Sequence, residues 1–270
     1  MNSYEGFQVI SGNATKELSN ELSYITEVAK KRYGHIHIAH HEWINLIEDK
    51  KYKDTIDKIR TSNVILEKIY EKFPNTTIKN VTEADEVYWA VSPKQAIGSD
   101  RSLVDCHYDS PFSWFPTGGV TYYRVIIATN ENNDVSTYFP DENIRVKMST
   151  GDFHGLDYNK DLHCVDGQIP KDKVRILLKL HYIIVPKGAE SWEQYVRWIN
   201  VKWTEISRET MRMSAKPENI FEWCTGSLVN ICRVLFNNIY VIFFILFFIV
   251  LVYIYAPKRY MKLILNKKYR

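Results

Sequence analysis

VTYYRVIIAT at residues 120–129 and VRILLKLHYIIV at residues 174–185 are the two runs of sequence that decide the fold. Both are rich in β-branched and aromatic residues and contain neither glycine nor proline, which is typical of β-strands. Two shorter signals lie between them, the turn Gly151-Asp152 and the stretch Leu162-His163-Cys164-Val165. We therefore predict that residues 85–187 form a β-barrel.

Candidate metal ligands lie at both ends of this region. Alternate side chains of an extended chain share a face, so His107 and Asp109 can point at one centre. A second histidine from a distant strand, His163, completes a set of two histidines and one carboxylate. That set suits non-haem Fe(II) and leaves positions open for a cosubstrate and oxygen. Arg175, just beyond it, has the forked guanidinium that binds a carboxylate in bidentate fashion.

This order of residues resembles the 2-oxoglutarate/Fe(II)-dependent oxygenases, in which a His-x-Asp pair is followed well downstream by a second histidine and then by Arg or Lys at the start of a strand. The resemblance covers residues 85–186. Within the superfamily the chain looks closest to the aspartyl/asparaginyl β-hydroxylase-like branch, because of Tyr123-Arg124 leading into Ala128-Thr129-Asn130 and the Arg175 strand ending in Leu180-His181-Tyr182. Prolyl hydroxylase-like enzymes are the competing branch.

The resemblance implies a fold, a set of cofactors and a reaction. The fold is α+β, a double-stranded β-helix (jelly-roll) barrel buttressed by N-terminal helices. Iron held by His107, Asp109 and His163 would act with 2-oxoglutarate and O2, supported by ascorbate, to hydroxylate an Asp/Asn- or Pro-type side chain of a protein or peptide while 2-oxoglutarate is converted to succinate. Arg175 would anchor the cosubstrate, with Arg124 and Tyr122 as further contacts.

The sequence also gives predictions for one loop and two connecting segments of the barrel. The loop after Asp109 is aromatic, and Phe112, Trp114 and Phe115 could contact substrate there or simply pack in a hairpin corner. We expect residues 130–134 to be a polar hairpin turn and residues 152–161 a polar loop. His154, within that loop, is expected to be solvated or to lie behind the ligands.

The chain before the barrel, residues 1–84, is predicted to be a helical support region. Apolar residues recur at helical spacing from Ala14 to Arg32 and from Thr55 to Phe73, where Pro74 ends the pattern. A shorter helix is predicted between them over His41–Glu48.

Composition argues against some alternatives. The net charge of +3 is small and no basic-aromatic groove stands out, so nucleic acid is not an expected partner. The four cysteines, Cys106, Cys164, Cys224 and Cys232, form no Cys-x-x-Cys pair, and we predict neither a zinc site nor a disulfide framework. Cys106 and Cys164 adjoin the candidate ligands and are expected to be packing residues whose sulfurs point away from the metal.

The chain after the barrel points to a membrane. Residues 188–233 read as an amphipathic helix and a linker, and the helix, predicted over Ser191–Met213, could pack on the barrel or lie on a bilayer surface. Residues 234–256 contain no charged side chain. The eighteen nearly all apolar residues from Ile239 to Ala256 would span about 27 Å as a helix, enough for a single transmembrane segment.

The orientation of that segment stays open. The basic tail at residues 257–270 favours a cytosolic C-terminus, and its final Lys-Lys-Tyr-Arg resembles an endoplasmic-reticulum retrieval signal. The sequons at Asn13, Asn75 and Asn80 would fit a lumenal domain, but the N-terminus shows no signal peptide. Two function classes follow: a membrane-anchored oxygenase, or a membrane-tethered β-barrel that binds or scaffolds without catalysis. The substrate and the oligomeric state are not predicted.

Overall fold

The computed structural model describes most of the chain up to residue 228. The described residues are 9–36, 40–91, 106–110, 112, 115–131, 133–167, 169–170, 173–215, 219–225 and 227–228. The chain divides into two compact units, Met1–Ser207 and Arg208–Arg270, and every contact discussed below lies within the first.

Ten strands, four α-helices and two short 3-10 helices, Ile44–Leu46 and Thr82–Ala84, make up the described elements. The strands are β1 (Ile10–Asn13), β2 (His40–Trp43), β3 (Thr76–Asn80), β4 (Glu86–Ala90), β5 (Thr121–Ala128), β6 (Val135–Phe139), β7 (Ile144–Lys147), β8 (Asp152–Asp157), β9 (Cys164–Gly167) and β10 (Arg175–Pro186). The helices are α1 (Thr15–Tyr33), α2 (Lys50–Arg60), α3 (Asn63–Lys72) and α4 (Glu190–Ala215).

The strands form two antiparallel sheets. The larger has seven strands in the order β1-β8-β5-β10-β4-β2, with β3 paired to the far end of β10, and the smaller has the order β7-β6-β9. The long strand β10 organises the larger sheet, since it pairs with β5 along one edge and with β4 and then β3 along the other. An α+β fold built on antiparallel sheet confirms the predicted class.

The two faces of β10 have different environments. Ile176, Leu178, Leu180 and Tyr182 are fully buried and share one core with residues of α1, α2 and α3. Leu177, on the alternate face, packs with residues of the smaller sheet and its connections, including Phe139. The alternation of a strand therefore places Arg175 and Lys179 of β10 between the sheets, where Arg175 is buried and Lys179 is partly buried.

Residues 1–84 contain three α-helices, and strands β1, β2 and β3 also lie there. Helix α1 matches the predicted first helix, but the predicted third helix is broken at Thr61-Ser62 into α2 and α3. Ser62 adopts an extended conformation there, which lets both helices direct apolar faces to the sheet.

The predicted helix over His41–Glu48 is wrong. Residues 40–43 form β2, which pairs with β4 at the edge of the larger sheet, and a short 3-10 helix, Ile44–Leu46, follows. The side chain of Glu42 is nearly buried, where it accepts hydrogen bonds from Arg32 and Tyr52. Pairing with a neighbouring strand has outweighed a weak local helical pattern.

The two connections predicted between the main strands also differ. Residues 130–134 are not a hairpin turn, because β5 belongs to the larger sheet and β6 to the smaller one, so the segment crosses between sheets. Residues 152–157 are strand β8, inserted between β1 and β5, rather than part of a polar loop. A strand that is buried on both faces does not alternate between polar and apolar residues. The sequence of β8 therefore lacks the alternation by which a strand is predicted.

The predicted transmembrane segment at residues 234–256 lies outside the described residues. Among the helices that are described, none combines the length and the apolar character needed to cross a bilayer. Helix α4 matches the predicted amphipathic helix, and Trp192, Tyr195 and Trp203 pack against a core that includes Tyr122 and Ile183 of the barrel.

Candidate active site

His107 and His163 meet on facing segments of antiparallel chain. The amide of His107 donates to the carbonyl of His163 at 2.9 Å, and the amide of His163 donates back at 3.1 Å. Directly paired residues of an antiparallel bridge project to the same side. The two imidazole rings accordingly lie 4.7 Å apart, although 56 positions separate them in the sequence (163 − 107).

Asp109 completes the group. Its Oδ1 lies 3.8 Å from Nε2 of His107, and its Oδ2 lies 3.7 Å from Nε2 of His163. Two ligand atoms that are each about 2.1 Å from one ion stand about 3 to 4 Å apart. Within the described residues, this is the one cluster of histidine, cysteine and acidic side chains close enough to hold a metal ion.

The hydrogen bond behind His163 fixes the form of its ring. Nδ1 lies 3.0 Å from the carbonyl oxygen of Asp161, which can only accept, so Nδ1 carries the proton. Nε2 therefore presents its lone pair toward Asp109. Burial lowers the pKa of His163 to about 4, so the ring is neutral near pH 7. Metal-binding histidines typically have such a partner on the other ring nitrogen.

Arg124 holds the carboxylate of Asp109. Its Nη1 donates to Oδ2 at 2.6 Å. Burial alone would raise the pKa of Asp109, but the charge of Arg124, with smaller contributions from His163 and His107, outweighs it and leaves the pKa at about 2. Asp109 is thus a fixed anion, with Oδ1 directed toward His107.

A buried chain of polar groups continues behind Arg124. Its Nε donates to Nε2 of His181 at 2.9 Å, so that nitrogen is unprotonated and Nδ1 of His181 faces Oδ1 of Asp85 at 3.2 Å. Asp85 is bound in turn by the guanidinium of Arg60 at the end of α2. The N-terminal helices are therefore linked through hydrogen bonds to the candidate metal ligand.

Helix α4 also contacts the ligand segment. Nε1 of Trp203 donates to the backbone carbonyl of Asp109 at 3.1 Å. The ring of Phe112 lies edge-on to Trp203 at 5.6 Å and to Phe115 at 5.2 Å. Two of the three predicted substrate-loop residues thus lie beside the site, and the third, Trp114, lies outside the described residues.

Arg175 and Lys179 are the two cations on the inner face of β10, and among the described residues only Lys179 has a carboxylate partner. Lys179 forms an ion pair with Glu86. Arg175 is 3% exposed, its Nε has no hydrogen-bond partner, and no carboxylate of the described residues pairs with it. Burial lowers its pKa to about 10, which still leaves it charged at neutral pH.

Arg124 and Tyr122, predicted with Arg175 as cosubstrate contacts, lie further along the sheet. Both residues lie on β5. Arg124 pairs with His181 and Tyr122 with Ile183, and these partners lie several positions after Arg175 on β10. Arg124 contacts Asp109, and the Tyr122 ring packs against Tyr158 and His181. The contacts therefore show Arg124 holding the candidate ligand Asp109, and a role of Arg124 or Tyr122 in binding the cosubstrate stays a prediction.

His154 is completely buried on β8, contrary to the expectation of a loop residue. Neither of its ring nitrogens has a hydrogen-bond partner within the described residues. Burial lowers its pKa to about 3, and the nearby charges of Arg175 and His163 act in the same direction. His154 is thus close enough to both His163 and Arg175 for their charges to act on it, and its ring nitrogens are polar atoms that a ligand could satisfy.

The residues present fit Fe(II) and a dicarboxylic cosubstrate. Two imidazole nitrogens and one carboxylate leave part of an ion's coordination shell open, as in non-haem iron oxygenases. A buried, unpaired arginine is costly unless a bound anion neutralises it. Arg175 Nε and the ring nitrogens of His154 have no hydrogen-bond partner among the described residues. The far carboxylate of a dicarboxylic cosubstrate could accept hydrogen bonds from them.

Cys106 and Cys164 form a disulfide, which corrects the prediction of two separate packing residues. Cys106 precedes His107 and Cys164 follows His163. Because His107 and His163 are paired on antiparallel segments, the residues next to them also face each other. Their sulfurs are bonded to one another.

No protein-family model matches the chain, and no curated protein sequence matches it. Solved structures do show likeness. The epimerase SnoN from nogalamycin biosynthesis, described as non-heme and alpha-ketoglutarate-dependent, is 14% identical with a TM-score of 0.48 over 67% of this chain and 79% of its own. The viral collagen prolyl hydroxylase of Paramecium bursaria Chlorella virus-1 is 14% identical with a TM-score of 0.44 over 68% and 98%.

A prolyl hydroxylase from Trichoplax adhaerens, solved with a hypoxia-inducible-factor peptide, is also 14% identical, with a TM-score of 0.42 over 70% of this chain and 89% of its own. At such identities and TM-scores the likeness says nothing about activity. None of the three is an aspartyl/asparaginyl hydroxylase, so the narrower resemblance is not supported by them.

Sequence reasoning missed several residues that contact the site. Alternation along VRILLKLHYIIV places His181 and Lys179 on the same face as Arg175, so that pattern could have found them. Asp85, His154 and Trp203 gave no comparable signal, because their roles depend on contacts between elements far apart in the chain.

Proposed function

We propose that this protein is an Fe(II)- and 2-oxoglutarate-dependent oxygenase that hydroxylates a side chain of a protein or peptide. One observation carries the proposal. His107, Asp109 and His163 converge with their ligand atoms within 4.8 Å of one another, and the inner face of β10 carries the buried Arg175, which no carboxylate of the described residues neutralises. A protein that bound only a metal ion would have no need of this arginine. An arginine with a purely structural role would be expected to pair with a carboxylate of the protein.

The bound iron would supply activation of O2, coupled to decarboxylation of 2-oxoglutarate to succinate. The protein's own groups do the remaining work. His163, held by the Asp161 carbonyl, keeps Nε2 unprotonated. Arg124 keeps Asp109 charged and oriented. Arg175 would bind the far carboxylate of the cosubstrate, and the packed residues around it exclude water.

The proposal of a protein or peptide substrate rests on the surface next to Asp109. The half-exposed Tyr108 lies beside it, and Phe112 and Phe115 follow in the next segment. Aromatic side chains beside an open metal position suit an extended peptide that inserts one side chain. Whether that side chain is of the Asp/Asn or Pro type is a question for substrate screening.

Attachment to a membrane is proposed from the sequence. Residues 234–256 have the length and apolar character of one transmembrane helix, followed by a basic tail. The full chain should stay with the membrane fraction after an alkaline wash, whereas a chain lacking residues 234–270 should be released. Release of both would disprove the anchor.

Binding of the two cofactors tests the proposed function directly. Calorimetric titration of the metal-free full chain under nitrogen should show Mn(II) binding, and 2-oxoglutarate should bind only when Mn(II) is present, because it chelates the ion. The variant Asp109→Asn should lose both, while Asp134→Asn, an exposed carboxylate paired to Lys173, should lose neither.

The second candidate is a barrel that binds or scaffolds without catalysis. Folded protein that bound neither Mn(II) nor 2-oxoglutarate would favour it over the oxygenase.

A further inference from the structure

We propose that His181 is a positioning residue of the metal centre, which holds the guanidinium of Arg124 in the orientation that presents a hydrogen bond to Asp109. This inference rests on the proposed function, because it takes Asp109 to be a metal ligand. It assigns to the site a residue that acts through Arg124 and not by contact with the metal ion.

His181 and Arg124 are direct neighbours on the two central strands of the larger sheet. They are paired across β10 and β5, so their side chains project to the same side. Nε of Arg124 donates to Nε2 of His181 at 2.9 Å, and Nη1 of Arg124 donates to Oδ2 of Asp109 at 2.6 Å. One guanidinium therefore contacts both the imidazole and the candidate metal ligand.

The shape of the guanidinium makes these two contacts depend on each other. Its N–H groups lie in one plane and form a rigid fork. The ring of Tyr158 lies against this group, with its centroid 4.5 Å from Cζ of Arg124. Once Nε is bound to His181, the direction of Nη1 is fixed as well. Loss of the acceptor at Nε would therefore disturb the hydrogen bond that Asp109 receives.

His181 is itself held in the form that can accept a hydrogen bond. The residue is completely buried. Oδ1 of Asp85 accepts from the backbone amide of His181 at 2.7 Å and lies 3.2 Å from Nδ1 of its ring. An ionised carboxylate can only accept, so Nδ1 carries the proton and Nε2 keeps its lone pair for Arg124. Burial lowers the pKa of His181 to about 4, so the ring is neutral near pH 7.

Asp85 is fixed from the opposite side by helix α2. Its Oδ2 accepts from Nε of Arg60 at 2.9 Å and also from Nη2 of the same guanidinium. Both side chains are buried, and removal of one partner of a buried ion pair strongly destabilises a protein. The test therefore changes His181, which is neutral, and leaves Asp85 and Arg60 in place.

Two amide variants separate the two hydrogen bonds of the His181 ring. The terminal oxygen of glutamine reaches the place of Nε2 and can accept from Arg124, whereas asparagine reaches only the place of Nδ1, beside Asp85. The metal-free full chain and both variants are titrated with Mn(II) by calorimetry under nitrogen. We expect the Kd to rise about three- to tenfold in His181→Asn, in line with the loss of one hydrogen bond, and to stay near the parent value in His181→Gln.

A neighbouring residue of β10 provides the control for a purely structural loss. Tyr182 is completely buried on the other face of the sheet, where its hydroxyl donates to the carbonyl of Arg60 at 2.9 Å. Tyr182→Phe should lower the melting temperature without changing the Kd of Mn(II). In the background of Arg124→Lys, which keeps a cation but lacks the fork, His181→Asn should change the Kd no further.

A measurement on the unaltered protein keeps the inference testable if His181→Asn does not fold, as judged by near-ultraviolet circular dichroism. Nitrogen–proton correlation spectra of the histidine side chains should show the proton of His181 on Nδ1, and the signals are assigned by their loss in His181→Gln. A proton on Nε2 would overturn the inference, because that nitrogen could not then accept from Arg124.

Equal Mn(II) affinity of folded His181→Asn and the parent would overturn the inference and leave the proposed function standing. A rise in Kd of the same size in His181→Gln or in Tyr182→Phe would do so too, because the effect would then not depend on the acceptor for Arg124. A parent that bound no Mn(II) at all would instead overturn the proposed function, and this inference with it.

Discussion

Arg124 and Arg175 are both buried arginines, and what separates their roles is whether a carboxylate of the protein neutralises them. Arg124 contacts Asp109 at 2.6 Å, whereas Arg175 pairs with no carboxylate of the described residues. The sequence showed both as basic residues on predicted strands and could not show which had a partner. Which carboxylate lies beside an arginine depends on contacts between segments far apart in the sequence. A sequence pattern can therefore identify the arginine but not whether it pairs with a carboxylate.

Replacing Arg175 should weaken binding of the cosubstrate without changing binding of the metal ion. In Arg175→Met the charge-assisted bonds to the far carboxylate are lost, and we expect the Kd of 2-oxoglutarate, measured by calorimetry with Mn(II) bound, to rise about 10- to 100-fold. The Kd of Mn(II) should not change. Lys173→Met, an exposed neighbour, is the matched control. Unchanged 2-oxoglutarate binding in Arg175→Met would remove this residue from the site.

His154 should make the metal-free protein sensitive to acid. Its pKa is about 3 when folded and about 6.5 when unfolded, because burial disfavours the charged ring. Between those values the unfolded state binds the proton and the folded state does not, so stability is lost as the pH falls. Within that window, His154→Phe should reduce the slope of unfolding free energy against pH by about 1.4 kcal/mol per unit.

Denaturant titrations of the two proteins from pH 4 to 7 measure this slope. His35→Gln, at an exposed position, should leave it as in the parent. Parallel curves for His154→Phe and the parent would mean that His154 is not buried in a neutral form.

At the scale of elements, the strongest patterns were predicted well. Strands β5 and β10 and helices α1 and α4 appear close to their predicted bounds, since long apolar or periodic runs carry their own signal. Strands β1, β3 and β8 were missed, because they are short or covered on both faces and owe their form to a neighbouring strand. The disulfide was missed for the same reason: it depends on which segments pair.

Helix α4 should contribute to the site through Trp203. In Trp203→Phe the ring remains, but the hydrogen bond to the Asp109 carbonyl is lost. We expect the Kd of Mn(II) to rise several-fold, up to about tenfold, in line with one hydrogen bond, while the melting temperature changes little. The exposed Trp198 on the same helix provides the control, as Trp198→Phe. Identical Mn(II) affinity in both variants would show that α4 only covers the barrel.

At the scale of the whole molecule, an isolated antiparallel bridge brings the segment of His107 and Asp109 to His163, and Arg124 of the larger sheet holds Asp109 in place. The three candidate ligands were predicted together only because their order resembles that of a known superfamily; spacing alone would not have linked residues so far apart. The buried chain from Asp109 through Arg124, His181 and Asp85 to Arg60 then connects this centre with the N-terminal helices. The site is therefore a product of the complete first unit of the protein.

Succinate release from 2-oxoglutarate is the measurement that tests the central claim most directly. The purified full chain is supplied with Fe(II), ascorbate and O2, beside His163→Ala and the exposed-site control His35→Ala. We predict slow release without added substrate in the parent and in His35→Ala, and none in His163→Ala. Folded, iron-loaded parent that releases no more succinate than His163→Ala would contradict the assignment as an oxygenase.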